Sequence, residues 1–202
     1  MQAENDSAAD PRREAILAAA AELFFSHGFA ATSIDAIIER SGGSKRTIYA
    51  LFGSKQGLCE ALIRENSERI FGSERLDDPT LSLEESLLRF ARELLRLFLR
   101  PDTAGMYRLV VAEALRVPAL AESYMRIGPG RARAWLAGRL ERARDELGEI
   151  DATRAANQFL GLVRSDVYYE TVLGLRDPLS EAEVDTMAAD AVRVFLHGVR
   201  RG

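Results

Sequence analysis

Apolar residues recur at three- and four-residue intervals along nearly the whole chain, the spacing that places them on one face of a helix. No run alternates strictly with β-branched residues, so the pattern predicts an all-α fold of about nine to ten helices. The first helix opens with Asp10 as N-cap and Pro11 in its first turn. It carries Ile16, Leu17, Ala20, Leu23 and Phe24 on one face and stops at Gly28. A left-handed Gly28 at the helix end would bring Phe29 against Phe24. Thr32 and Ser33 each offer a hydroxyl to cap a second helix, with Ile34, Ile37 and Ile38 facing inward and Asp35 at the positive end of the dipole. After Ser41-Gly42-Gly43, Ser44 caps a very short third helix whose inward set is Ile48, Leu51 and Phe52. A fourth restarts after Gly53 with Ser54 as its cap and runs to about Phe71.

Gly72-Ser73 and Asp77-Asp78-Pro79-Thr80 form the strongest break in the pattern. The expected organisation is a disordered tail over 1–9, a helix-turn-helix unit over 10–55, a connecting helix over 56–72 and a larger helical domain over 73–202. In that second domain the capping box Ser82-x-x-Glu85 opens one helix and Asp102 is placed to cap the next, which runs to about Arg116. A short piece holding Tyr124 and Met125 precedes Gly128-Pro129-Gly130. Three long amphipathic segments follow, at about 129–147, 151–173 from Asp151, and 180–198 from the capping box Ser180-x-x-Glu183.

Composition narrows the chemistry. The 202 residues are 47% hydrophobic with a formal net charge of −4, too apolar and too weakly charged for a disordered chain. The beginning, MQAENDSAAD, is acidic and polar rather than basic then apolar, and no apolar run reaches the length of a membrane span. A cytoplasmic protein without membrane attachment is expected. With one cysteine and two histidines, His27 and His197, a Cys/His zinc site within one chain cannot be built. Phosphate-binding glycine motifs and the nucleophile elbow are also missing, so neither a metal nor another cofactor is expected, and catalysis is not expected either. Cys59 sits at a helix start beside Lys55, where a reactive thiol is one reading and a small apolar residue the favoured one.

One local asymmetry stands against the acidic total. From Arg40 to Cys59 there are four basic residues, Arg40, Lys45, Arg46 and Lys55, and no acidic one. A helix, a glycine-containing turn and a second short helix form the plan of a DNA-reading helix-turn-helix. Ile34, Ile37, Ile38, Ile48 and Phe52 would lock the two helices, leaving Lys45, Arg46, Thr47 and Tyr49 to project from the polar start of the second. Lys45 and Arg46 suit guanine O6 and N7 or phosphates, and Tyr49 suits a phosphate or a thymine methyl. Thr32, Ser33, Ser44 and Lys55 lie at helix starts, where N–H groups favour a phosphate oxygen.

The stretch ATSIDAIIERSGGSKRTIYALFGSKQGL resembles the N-terminal DNA-binding domain of the TetR/AcrR transcriptional regulators. The resemblance joins the Thr-Ser cap, the turn, Thr47-Ile48-Tyr49 and the Phe52-x-Ser54-Lys55 restart in order. Farther on, YRLVVAEALRVPALAESY and QFLGLVRSDVYYETVLG resemble the regulatory domain of an AefR-like branch. The family implies that Lys45, Arg46 and Tyr49 meet bases or adjacent backbone, and that Thr32, Ser33, Thr47 and Lys55 hold phosphates. It also implies a homodimer on a pseudo-palindromic double-stranded operator, released by a small-molecule effector. Two positions depart from the pattern: Leu51 stands where histidine is frequent, and Gly43 replaces an apolar turn residue.

The effector pocket is expected among Met106, Tyr107, Tyr124, Trp135, Phe159, Arg164, Asp166, Tyr168 and Tyr169, which bring aromatic, thioether and charged groups to several helices. The same residues at helical spacing also suit an ordinary core. A repressor is the leading reading; an activator or ligand-independent DNA-binding protein is the alternative, and a helical carrier or enzyme keeping the motif as scaffold is the remote one.

Overall fold

The breaks in apolar periodicity become capped helix ends. A computed structural model describes residues 10–71, 76, 78–177 and 179–199. Among them are ten α-helices: α1 (Pro11–His27), α2 (Ile34–Ser41), α3 (Lys45–Phe52), α4 (Lys55–Phe71), α5 (Leu83–Phe98), α6 (Pro101–Glu113), α7 (Pro118–Ile127), α8 (Pro129–Arg142), α9 (Ala152–Leu173) and α10 (Glu181–Val199). The expected tail over 1–9, the Gly72-Ser73 break and Asp77 lie outside the described residues.

Side-chain caps occur where short polar residues precede an apolar run. Asp10, Ser33, Ser44, Ser82 and Asp151 each accept a hydrogen bond from a first-turn N–H. Both expected capping boxes close: Glu85 Oε2 accepts from the Ser82 N–H, and Glu183 Oε2 from the Ser180 N–H. Asp102 departs from expectation. Pro101 already occupies the first turn of α6, so Arg100 is the N-cap and the Asp102 carboxylate pairs with Arg69 and Arg100. Burial would raise the Asp102 pKa, but the two guanidinium partners outweigh it and hold it below the usual carboxylate range.

Other details also differ. Gly28 has φ 87° and ψ 160°, outside the left-handed helical region, although Phe29 does reach Phe24 with ring centroids 5.4 Å apart. The segment expected over 129–147 ends as an α-helix at Arg142 and tightens into a 3-10 turn, Arg144–Glu146. Leu51 is 41% exposed rather than inward. In an eight-residue helix Ile48 and Phe52 take the inner stripe, and Leu51 lies about 60° to the other side of Ile48.

Two cores cut across the division at 72/73. The first gathers α5, α8, α9 and α10 around Phe90, Leu136, Phe159 and Ala188, with Trp135 stacked on Phe90 at 4.7 Å. The second joins α1–α4 to α6 and α7, where Met106, Leu109, Val110, Leu120 and Ile127 share one cluster with Phe24, Ile37, Ile48 and Leu58. The N-terminal helices alone leave an apolar side open, and α6 and α7 cover it. Residues assigned by sequence to the second domain therefore complete the core of the first.

Candidate nucleic-acid interface and internal cavity

The α2–turn–α3 unit is held from behind by Ile37 and Ile48, both fully buried. The turn is sharp because Gly42 (φ 75°) and Gly43 (φ 103°) both take backbone conformations that a β-carbon disfavours. Ser44 Oγ then accepts from the Thr47 N–H at 3.2 Å and lies 3.0 Å from Thr47 Oγ1, starting α3 with its first turn facing out. Arg46 projects from that turn and Tyr49 from the next, with Tyr49 49% exposed. Arg46 belongs to none of the ion pairs found among the described residues.

Lys45 is differently placed. Its Nζ lies 2.9 Å from Asp35 Oδ1, and the hydrogen bond to that carboxylate raises its pKa. Both side chains are exposed, so the pair is weak and exchanges readily for a phosphate or base acceptor. Arg12 is an addition that sequence reasoning missed. Its guanidinium lies 3.5 Å from where a β-carbon on Gly43 would stand, bringing a further cation beside the turn. The only sequence signal is the basic pair Arg12-Arg13 after Pro11.

Thr32 and Lys55 both have partners within the protein. Thr32 is 4% exposed, and its Oγ1 donates to the carbonyls of Leu23 and Gly28 at the end of α1. Lys55 Nζ donates to the carbonyls of Phe29, Ala30 and Thr32 at 2.8, 3.3 and 2.9 Å and sits 4.6 Å from the Phe29 ring centroid. Carbonyls at a helix end and in a tight loop need donors, and these two side chains supply them. They shape the 28–32 loop rather than point outward. Ser33 keeps its expected place, its Oγ accepting from the Ala36 N–H at 3.1 Å.

Cys59 is fully buried, and desolvation pushes its thiol up to about 12, with the neighbouring Glu60 charge adding to the shift. The group is a neutral core element, as the apolar reading of the residue expects.

Between the two cores lies a cavity of about 70 Å³, lined from α4, α5, α6, α7, α8 and α9. Four of the expected pocket residues reach it: Met106, Tyr124, Arg164 and Tyr168. Tyr107 stands behind the wall, its ring 5.3 Å from that of Tyr168 and 6.1 Å from that of Tyr124. The other four do not contribute. Trp135 stacks on Phe90, Phe159 packs edge-on to Phe195 in the core, and Asp166 and Tyr169 face outward. The shared helical period could not distinguish core from cavity for these side chains. Residues it missed include Ser67, Phe71, Phe98 and Thr103.

Burial raises the pKa values of Tyr124 and Tyr168, which hydrogen-bond to each other, so both phenols stay protonated. Helix α9 is kinked beside the cavity, because Ser165 adopts φ 40° and ψ −161° immediately after Arg164. A side-chain-bearing residue in that region carries about 1–3 kcal/mol of strain. Neither Pro nor Gly at this position announces the kink. Among the described residues no cluster of His, Cys, Asp and Glu could hold a metal ion, and no helix is long and apolar enough to cross a membrane.

An exposed polar reading head on a glycine turn, carried by a helical body with an internal cavity, defines a helix-turn-helix DNA-binding protein. Residues 16–62 match the N-terminal domain of the bacterial regulatory proteins of the tetR family, and residues 85–198 match the C-terminal domain of the AefR-like transcriptional repressors. The chain belongs to the TetR family of transcriptional regulators, which are DNA-binding proteins and not enzymes. Among solved structures, the Flavonoid-responsive Regulator FrrA is 35% identical, with a TM-score of 0.75 over 94% of this chain and 97% of that one. Among curated relatives, the transcriptional activator FasR of Mycolicibacterium smegmatis is 34% identical over 50% of this chain and 46% of its own length. The transcriptional repressor ComR of Escherichia coli is 31% identical over 48% of each. The chain thus spans about half the length of these two curated relatives.

Proposed function

We propose that this regulator is a cytoplasmic homodimeric repressor that leaves a pseudo-palindromic operator when a small molecule enters the internal cavity. The observation that carries the release step is the reach of α6. Its first two turns give Thr103 and Met106 to the cavity wall, and its last residue, Glu113, accepts the Ala30 N–H at 3.0 Å. That bond fastens α6 to the 28–32 loop, which Lys55 and Thr32 also hold and from which α2 starts. A ligand that displaces the first turn of α6 would move the loop through one rigid helix and change the spacing of the two reading heads. Linkage then makes DNA and ligand oppose each other by the same factor, and a coupling of about 1–3 kcal/mol suffices.

Contacts to DNA are assigned to Arg46 and Tyr49 first, with Lys45, Ser33, Ser44 and Thr47 at their side and Arg12 near the turn. One such head reads only a few base pairs, so useful selectivity needs two. The dimer surface is assigned to the outer faces of α9 and α10. Leu173 at the end of α9 and Leu175 just past its Gly174 cap are 69% and 73% exposed, and Leu162 and Tyr169 on α9 and Val194 on α10 are exposed too. An apolar set of this kind marks an interaction surface. Substituting both Leu173→Glu and Leu175→Glu is expected to halve the mass seen by sedimentation and to weaken DNA binding, with helicity retained. An unchanged dimer would place the interface elsewhere.

FrrA, named for its response to flavonoids, and the AefR-like repressor match support a ligand-responsive repressor. The FasR likeness favours the second reading, an activator. Fluorescence anisotropy of the DNA upstream of the gene, titrated at several salt concentrations against a scrambled fragment, tests operator reading; reporter output with and without the gene gives the sign. Selective, salt-dependent binding with reporter output rising on deletion is expected. Falling output would make it an activator. If selection from random DNA yields no preferred site, the operator reading fails.

A further inference from the structure

The cavity wall is chemically one-sided. Among its lining residues are no Asp and no Glu, and Arg164 is the single charged side chain. The Arg164 guanidinium sits over the faces of Tyr168 and Phe98, 5.2 and 5.7 Å from their centroids, and appears in none of the ion pairs among the described residues. Its Nε is buried without a hydrogen-bond partner, and so is Thr103 Oγ1 on the same wall. Buried donors left unpaired are rare and costly, and each one needs an explanation. A third electropositive feature is the start of α8. Gly128 and Pro129 line the cavity there, and no side chain caps that helix end. The Tyr168 phenol donates to that of Tyr124, and burial keeps both neutral, so they do not repel an anionic ligand.

From these groups we infer that the effector is a compact apolar acid, its carboxylate held by Arg164 and Thr103 and its hydrocarbon part by Phe98, Met106, Leu160 and Tyr168. This rests on the proposed ligand-released reading and adds the chemical class of the ligand. A cationic ligand meets an uncompensated guanidinium and a positive helix end. A neutral hydrocarbon leaves both orphaned polar atoms unpaired. An anion with two oxygens satisfies both, and a carboxylate is the planar partner that the guanidinium fork accepts. The remaining wall, from Ile63, Ile70, Leu94 and Leu97, is apolar and suits a ring or short alkyl chain. Size sharpens the argument. The cavity of about 70 Å³ is smaller than the roughly 150 Å³ of a dry cavity that admits benzene. Even a one-ring acid must therefore push the walls apart, and α6 is one of them.

Calorimetry on the 202-residue chain with benzoate, phenylacetate and hexanoate, each against its primary amide, tests the inference. The acids are expected to bind at least about tenfold tighter than the amides, the factor a charge-assisted bond supplies. Arg164→Gln should erase that preference, lowering acid affinity by a larger factor than amide affinity. Arg164→Lys should restore part of it, and Thr103→Val should lower acid affinity by a smaller factor. Melting temperatures of the variants show that each is folded. Amides binding as well as acids, a preference that survives Arg164→Gln, or no binding by any of the six compounds overturns the inference. DNA release is read separately by anisotropy. Acids that bind with the expected preference yet leave the operator complex intact uphold the ligand class and overturn ligand-driven release. Neutral compounds that release DNA do the reverse.

Discussion

Replacing Arg46 and Tyr49 together by alanine is expected to abolish sequence-selective DNA binding while leaving the protein as stable as before. Both side chains are exposed on the first two turns of α3 and take no part in the Ile37–Ile48 packing behind it. Their removal should therefore shift stability by no more than about 0.5 kcal/mol, the usual range for surface changes. Each good base contact is worth roughly 1–3 kcal/mol. Two contacts on each of two heads then amount to about 4–12 kcal/mol, as large as the whole gap of about 4–10 kcal/mol that separates specific from non-specific binding. Anisotropy with operator and scrambled fragments should give equal, weak affinities, and the melting temperature should be unchanged. Lys45→Ala should cost less than either, because Lys45 must first leave Asp35. Retained selectivity in the double variant would move the reading surface away from α3.

Lys55→Met separates two roles for the same residue. If Lys55 holds a DNA phosphate, its loss lowers the slope of log affinity against log salt by about one per head and leaves stability alone. The structure points the other way, since its ammonium serves three carbonyls of the 28–32 loop. Hydrogen bonds to a charged group are worth about 1.5–3 kcal/mol, and methionine keeps the stem while removing the donors. A loss of about 2–3 kcal/mol in stability is expected, or roughly 5–10 °C in melting temperature for a chain of this size. The salt slope should stay near its parental value, and DNA affinity should fall through displacement of α2. A lowered slope with an unchanged melting temperature would return Lys55 to the phosphate backbone.

The cavity carries the same lesson in another form. Helical period placed Met106, Tyr124, Arg164 and Tyr168 on inward faces, and it placed Phe159 and Trp135 there equally well. Facing inward is a property of one helix. Lining a void requires that the neighbouring helices fail to meet, and that depends on side chains far away in sequence. Thr103 illustrates the gap: its hydroxyl is orphaned because α4, α7 and α9 converge opposite the first turn of α6 without supplying a partner.

Local signals along the chain were sufficient for the all-α class, the capped starts at Ser33, Ser44, Ser82 and Asp151, the glycine turn and the exposed residues of α3. These features act over three or four residues, through hydrogen bonds and periodicity that the adjoining sequence contains in full. Tertiary structure alone decided that Lys55 and Thr32 turn inward, that α6 and α7 complete the N-terminal core, that α9 kinks at Ser165, and that the Arg164 Nε is buried without a hydrogen-bond partner. Each depends on groups brought together from distant parts of the chain. Whether a donor, a carbonyl or an apolar face is satisfied is settled only when the helices pack.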